Sequence, residues 1–300
     1  RAFLEKFFHE MEEFGKYAFN KSHAAAYMRV GLTCARLKYY YPADFMAAVM
    51  SYSSQDSMSM YSSHCSQDLG IKILPPDVNI SEKKFKAIDD KTIVAALSIK
   101  NSSSASIDGI LEEREKNGEF ESFEEFLVRT IDVIDKKTLT ALAYCGALRS
   151  LGVKGSAIIA DIEKIMSVIK KAKTKKKMRR DFDISLDLPD IEDFPESVSL
   201  KLEKEYLGFY VTKNPLASYL YEIKKRGTLT LDAYKYDVDE NGEIIMTSDN
   251  FREGRVKIIA LLDSMDILHT KKDKKRMAKG VISDITGQMQ FLIWPNDFED

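Results

Sequence analysis

The stretch SHAAAYMRVGLTCARLKYYYPADFMAAVMSY, residues 22–52, decides the fold class. From Ser22 to about Tyr40 it is apolar nearly all round, with Arg29, Arg36 and Lys38 as its only charges, and this predicts a largely buried helix. Tyr41-Pro42 breaks that helix, because a residue before proline is pushed out of helical geometry while Pro42 suits the first turn of a new helix. Upstream, Phe3, Leu4, Phe7, Phe8, Met11 and Phe14 recur at helical spacing among Glu and Lys, which predicts an amphipathic helix over 3–17 ending near Gly15. Residues 1–69 are therefore expected to be all helical.

Working outward, Pro75-Pro76 in IKILPPDVN (71–79) suits neither a helix nor a central strand, so a boundary is placed there. FKAIDDKTIVAAL (85–97) reads as two short strands around an Asp-Asp-Lys turn. Three helical patterns follow, SIDGILEEREKNGEF, SFEEFLVRT and DKKTLTALAYCGAL, the second opening with the capping sequence Ser122-x-x-Glu125. Residues 70–166 are thus a small helical domain with one hairpin. Residues 170–180 hold eight cations in eleven positions, and 181–196 turn acidic with two prolines, so no core is expected over 167–196 and the segment reads as a linker or interaction strip. SLKLEKEYLGFYVTKNPLASYLYEI (199–223) predicts a helix that stops near Gly208 and resumes after Pro215, within a helical connector over 197–250. From Arg255 apolar and polar residues alternate, predicting three antiparallel strands in 251–300.

The 300 residues suggest two or three units, and the 44% hydrophobic and 31% charged content is that of a globular chain. No apolar run approaches the ~20 residues a bilayer span needs, so no membrane partner is expected. The chain opens on Arg1, with Glu5 and Glu10 where a signal peptide would be basic and then apolar, and a piece of something longer is expected. Cys34, Cys65 and Cys145 form no C-x-x-C, which argues against a disulfide framework and a zinc site and fits a reducing cytoplasm. A net charge of −2 from 45 basic and 47 acidic side chains means that any nucleic-acid affinity must come from local patches.

EEFGKYAFNKSHAAAYMRVGLTCARLKYYYPADFMAAVMS (12–51), GIKILPPDVNISEKKF (70–85), EKEYLGFYVTKNPLASY (203–219) and the closing strand pattern occur in one order. Together these blocks resemble the C-terminal part of the bacterial C-family replicative DNA polymerases, the DNA polymerase III alpha type. The resemblance implies a multidomain, mainly α architecture: distal fingers, a helix-hairpin-helix region with a sliding-clamp-binding segment, and the start of an oligonucleotide-binding (OB) barrel with about three of its five strands. It also implies primer-template DNA, a deoxynucleoside triphosphate, the sliding clamp (beta subunit) and other replicase subunits as partners, at the replication fork in a bacterial cytoplasm. Polymerase chemistry needs carboxylates around two Mg²⁺ ions, and the family keeps those in a palm that precedes the matching region. No catalytic or metal-binding residue is therefore expected in this chain, and no cofactor of its own.

By the same resemblance Phe19, Asn20, Lys21, Ser22, His23 and Tyr27 line the incoming-nucleotide site. The physical basis is a helix starting at Ser22, whose unpaired N–H groups and positive dipole end favour an anion beside Lys21 and His23. Ser22 is also an ordinary N-cap candidate, and Tyr27 an ordinary packing residue. Where the family carries a Gly-x-Gly hairpin turn for phosphate contact, IKNSSS (99–104) has Asn101 and Ser103. The hairpin, with Lys100, Asn101, Ser102 and Ser103 as DNA contacts, is expected to persist with weakened phosphate contact. A second hairpin is placed near YCGALRSLG (144–152), whose Gly146 and Gly152 also read as plain helix ends. DISLDL (183–188) resembles a clamp-binding peptide with Ile184, Leu186 and Leu188 as anchors and Asp183 in the place of a glutamine. Lys271, Lys272, Lys274, Lys275 and Arg276 on the first barrel loop are expected to meet DNA, with Phe291 or Trp294 as a stacking platform. The alternative is a stand-alone nucleic-acid-binding or scaffold protein built from degenerate polymerase modules. An independent enzyme using His23 as general base finds no nucleophile or carboxylate partner nearby in sequence.

Overall fold

Helix α1 (Ala2–Lys16) has the amphipathic pattern of the sequence, but its apolar face, including Phe3, Phe7 and Phe8, is exposed. The computed structural model describes residues 2–16, 20–54, 57–178, 183–226, 230–234, 236–238, 244–246, 254–271, 273–284 and 286–298. Helix α2 (Lys21–Tyr40) is the first departure from expectation: none of its residues is buried. Its all-round apolar surface finds one main neighbour among the described elements, α3 (Pro42–Tyr52), which starts at Pro42 as the sequence predicts. Residues such as Met28 and Leu32 stay exposed.

Ala43, Met46, Ala47 and Met50 on α3 enter a core with Met58 of α4 (Met58–Ser63), Cys65, Ile71, Ile93 and Phe209. A π-helical turn, His64–Asp68, follows α4. Strand β1 (Lys72–Leu74), unanticipated by the sequence, ends just before Pro75 and pairs in parallel with β3 (Thr92–Val94), which pairs antiparallel with β2 (Lys86–Asp89). The sheet order β1-β3-β2 leaves β1 at an edge, where a following proline removes no ladder donor. Because Ile71 and Ile93 share the α3 core, side chains pack continuously across residue 70.

The second core joins α5 (Ser104–Asn117), α6 (Phe123–Arg129), α7 (Lys136–Tyr144), α8 (Gly155–Ala160) and α9 (Ile162–Lys177) through Ile107, Ile110, Phe126, Leu139, Ile158 and Ile165. The Ser122 hydroxyl accepts from the Glu125 amide at 3.2 Å, and Glu125 accepts in return from the Glu121 amide at 2.7 Å, one residue earlier than a capping box requires. Arg129 closes the turn after α5, donating to the Gly118 and Glu119 carbonyls while it pairs with Glu113 and Glu125.

The expected linker over 167–196 is a correction. The basic run is the end of α9, which continues to Lys177 because Ile165, Ile169 and Ala172 keep helical spacing and are buried. Beyond it residues 183–195 are irregular but docked: Ile184 is buried, and Leu186 and Leu188 pack on the same core. α10 (Glu196–Leu207) stops at Gly208, which takes a left-handed φ of 89°, and the chain resumes as a 3₁₀ turn at Pro215–Tyr219 and α11 (Leu220–Lys225). The expected helical connector also contains an antiparallel pair of short strands, β4 (Tyr236–Val238) and β5 (Ile244–Met246).

The last sheet is the expected antiparallel meander of β6 (Leu261–His269), β7 (Arg276–Ser283) and β8 (Gln288–Ile293), followed by α12 (Pro295–Phe298). Its first strand begins at Leu261, not near Arg255. Gly280 lets Phe291 lie across β7, since a Cβ there would meet the ring at 2.7 Å. The sheet is open among the described residues, with Leu262, Met265, Ile267 and Leu292 exposed. Lys204 of α10 ties it to the helices through Asp263 at 3.5 Å and Ser59 at 3.1 Å.

Candidate nucleic-acid interface

At the start of α2 the N-cap is Asn20, not Ser22. The Asn20 Oδ1 accepts from the Ser22 amide at 3.0 Å and the Ser22 hydroxyl at 2.6 Å, so the helix begins one residue earlier than expected. Lys21, Ser22, His23 and Tyr27 are all exposed, and the His23 and Tyr27 rings lie one turn apart with centroids at 4.2 Å. A cation, a helix N-terminus and an open aromatic face thus stand together in solvent. Phe19 lies outside the described residues.

The first hairpin turn is built without glycine. Asn101 adopts a φ of 68°, the left-handed conformation that asparagine tolerates better than most residues. The Lys100 amide donates to the Tyr206 carbonyl at 3.1 Å, the Ser102 amide to Ile99 at 3.1 Å, and the Ser103 amide to the Thr138 hydroxyl at 2.9 Å. Ser103 also caps α5 by accepting from Ser106. Three of the backbone donors in this turn are consequently engaged within the protein. Lys100 and Asn101 remain exposed.

The second hairpin joins α7 to α8. Gly146 and Gly152 have φ of 70° and 74°, conformations that favour glycine, and at Gly155 a Cβ would come 2.4 Å from the Ala143 carbonyl. Close approach of α8 to α7 therefore requires glycine at 155, a position that sequence reasoning missed although Gly152-x-x-Gly155 is visible in the chain. Arg149 and Lys154 flank this turn, half exposed, and both are paired with the acidic strip: Arg149 with Asp193 at 3.4 Å, Lys154 with Asp190 at 2.9 Å. The Lys154 ammonium, mainly through its hydrogen bond, holds the Asp190 carboxyl below the usual carboxylate range. Neither cation was singled out from sequence, because only folding brings them beside Asp193 and Asp190, 44 and 36 residues away.

Ile184, Leu186 and Leu188 sit at i, i+2 and i+4 of an extended segment, so they share one face, and that face is turned onto the helical core. The anchors expected to enter a partner's pockets are used internally here. On the last sheet, Lys271, Lys274, Lys275 and Arg276 are exposed around the β6–β7 loop, and Lys274 has a φ of 56°; Lys272 lies outside the described residues. The loop is closed by Thr270, whose amide donates to Lys275 O at 2.9 Å and whose hydroxyl accepts from the Lys275 amide at 3.0 Å, with Asp273 bonded to the same hydroxyl. Arg276 stacks over Phe298 with 5.0 Å to the ring centre. Of the two stacking candidates Phe291 is half-buried against Gly280, while Trp294 is exposed. No group of three or more His, Cys, Asp or Glu side chains converges among the described residues. No helix there is long and apolar enough to cross a membrane.

The family model for the helix-hairpin-helix motif matches residues 70–157, which contain both turns. DNA polymerase III subunit alpha of Borreliella burgdorferi is 30% identical over 97% of this chain and 26% of its own length. The Thermus aquaticus subunit is 30% identical over 98% of the chain and 24% of its own, and that of Escherichia coli 30% over 95% and 27%. The chain thus spans about a quarter of the length of the curated relatives it matches. Along nearly its whole length the chain is therefore similar to a C-terminal part of DNA polymerase III alpha subunits, with the helix-hairpin-helix match inside that region.

Proposed function

We propose that this chain is the non-catalytic C-terminal portion of a replicative DNA polymerase: it completes the incoming-nucleotide site, grips duplex and single-stranded DNA, and meets the sliding clamp. The observation that carries this reading is the match to DNA polymerase III alpha subunits across 97% of the chain, with the helix-hairpin-helix match over residues 70–157 inside it. The chemistry, metal-assisted phosphoryl transfer, belongs to carboxylates elsewhere in the parent protein, where Mg²⁺ stabilises the attacking and leaving oxygens. Lys21, Ser22, His23 and Tyr27 offer a triphosphate a cation, a helix N-terminus and an aromatic face. Lys100 and the second hairpin face duplex, and Lys271, Lys274, Lys275 and Arg276 face a single strand. Clamp engagement through Ile184, Leu186 and Leu188 requires the strip to leave the helical core. The parent enzyme works in the bacterial cytoplasm on this reading.

A second reading, a stand-alone nucleic-acid-binding scaffold, draws on the first hairpin, where serines replace glycines and three amides are already bonded. Duplex and single-strand affinities measured across a salt series test the proposal. It expects binding to both that weakens steeply as salt rises, with a slope of roughly one released counterion per phosphate contact. Salt-independent or undetectable binding to both would remove DNA contact from this chain.

A further inference from the structure

Residues 183–193, DISLDLPDIED, carry five acids and no base. They do not float beside the second hairpin but are bound to it at several points. Ile184 is buried in the core beneath, and farther along Asp190 pairs with Lys154 and Asp193 with Arg149. The Lys164 ammonium donates to the Asp187 carbonyl at 2.9 Å. Ser156, itself buried, donates its hydroxyl to the Glu192 carbonyl at 2.9 Å and its amide to the Asp193 carboxylate at 3.3 Å. A ring contact between Phe194 and Tyr144, 5.7 Å between centroids, pins the far end of the strip onto α7. The cations of the hairpin that would meet a DNA backbone are therefore neutralised by carboxylates of the same chain. Both cations are half exposed, Asp190 is almost wholly in solvent and Asp193 is partly so, which makes the pairs weak and exchangeable, whereas the apolar anchors and backbone bonds keep the strip close.

We propose that this acidic strip is an intramolecular competitor of the phosphodiester backbone at the second hairpin. Duplex DNA gains Arg149 and Lys154 only by displacing Asp193 and Asp190. The proposal rests on the reading of that hairpin as a duplex contact. Tethering gives the strip a high effective concentration, so it screens weak, scattered phosphate contacts and yields to a duplex held at several points at once.

Duplex affinity of the full chain, measured by anisotropy at roughly 50 mM salt, tests this in four variants. Asp190→Asn with Asp193→Asn keeps one acceptor oxygen at each position and the size of the side chain but removes the competing charge. It is expected to tighten binding about fivefold, more than the equal charge change Glu112→Gln with Glu115→Gln on α5. Arg149→Gln with Lys154→Gln is expected to abolish that gain when combined with the Asn pair. If the Asn pair gains no more than the α5 control while Arg149→Gln/Lys154→Gln still weakens the Asn-pair chain, the strip is not a competitor and the hairpin contact stands. If Arg149→Gln/Lys154→Gln changes nothing in either background, the duplex reading of the hairpin fails and the competitor falls with it. Thermal melts of each variant identify any loss of affinity that comes from unfolding.

Discussion

Single residues explain where chemistry is open and where it is closed. Cys34 is exposed on α2, whereas Cys65 and Cys145 are buried. Burial pushes the Cys65 thiol up to about 11, against a smaller opposing effect of Lys38, and burial together with Glu203 raises that of Cys145. Since the thiolate is the nucleophile, only Cys34 is expected to alkylate quickly in the native chain at neutral pH. Mass spectrometry after brief iodoacetamide treatment should show one adduct on the folded protein and three after denaturation; rapid native modification of Cys145 would contradict the packing of α7. The same scale shows what was legible. Asn101 could be recognised from its type as a residue that tolerates a left-handed turn, and it has a φ of 68°. Asn20 was not recognised as the cap, because Ser22 is an equally good cap by type and only the backbone path distinguishes them.

At the scale of elements, helices with strong periodicity and clear punctuation were readable: Pro42 starts α3, Ser122 caps α6 and Gly208 ends α10. Elements whose stability comes from distant partners were not. β1 is three residues long and gains meaning only from β3, and α2 reads as buried because periodicity reports hydrophobicity and not the presence of a neighbour. The strip 183–193 is the sharpest case, since its composition signals disorder while its period-two anchors signal a docked edge, and the anchors win. Ile184→Ala should therefore lower the stability of the chain by about 2–4 kcal/mol and Leu186→Ala by about half that, read from urea melts. A peptide reserved for a partner and free of the core would leave the melt unchanged under both substitutions.

Over the whole molecule, a nearly balanced charge hides a division of labour. Cations that hold the fold, such as Arg114 on the Val78 and Ser81 carbonyls and Arg129 on the loop after α5, are nearly buried and committed. Those at Lys21, Lys100 and the β6–β7 loop are in solvent. The candidate interface was legible where one short motif carried it and illegible where it needed two distant segments, as with Arg149 and Lys154 meeting residues 190–193. On the function proposed above, this chain arranges DNA and nucleotide for acids located on another part of the parent protein. Primer extension by the purified 300-residue chain, with labelled primer-template, Mg²⁺ and all four deoxynucleoside triphosphates, tests this most directly. The account predicts that the primer is bound and stays at its original length; templated extension by the chain itself would contradict it.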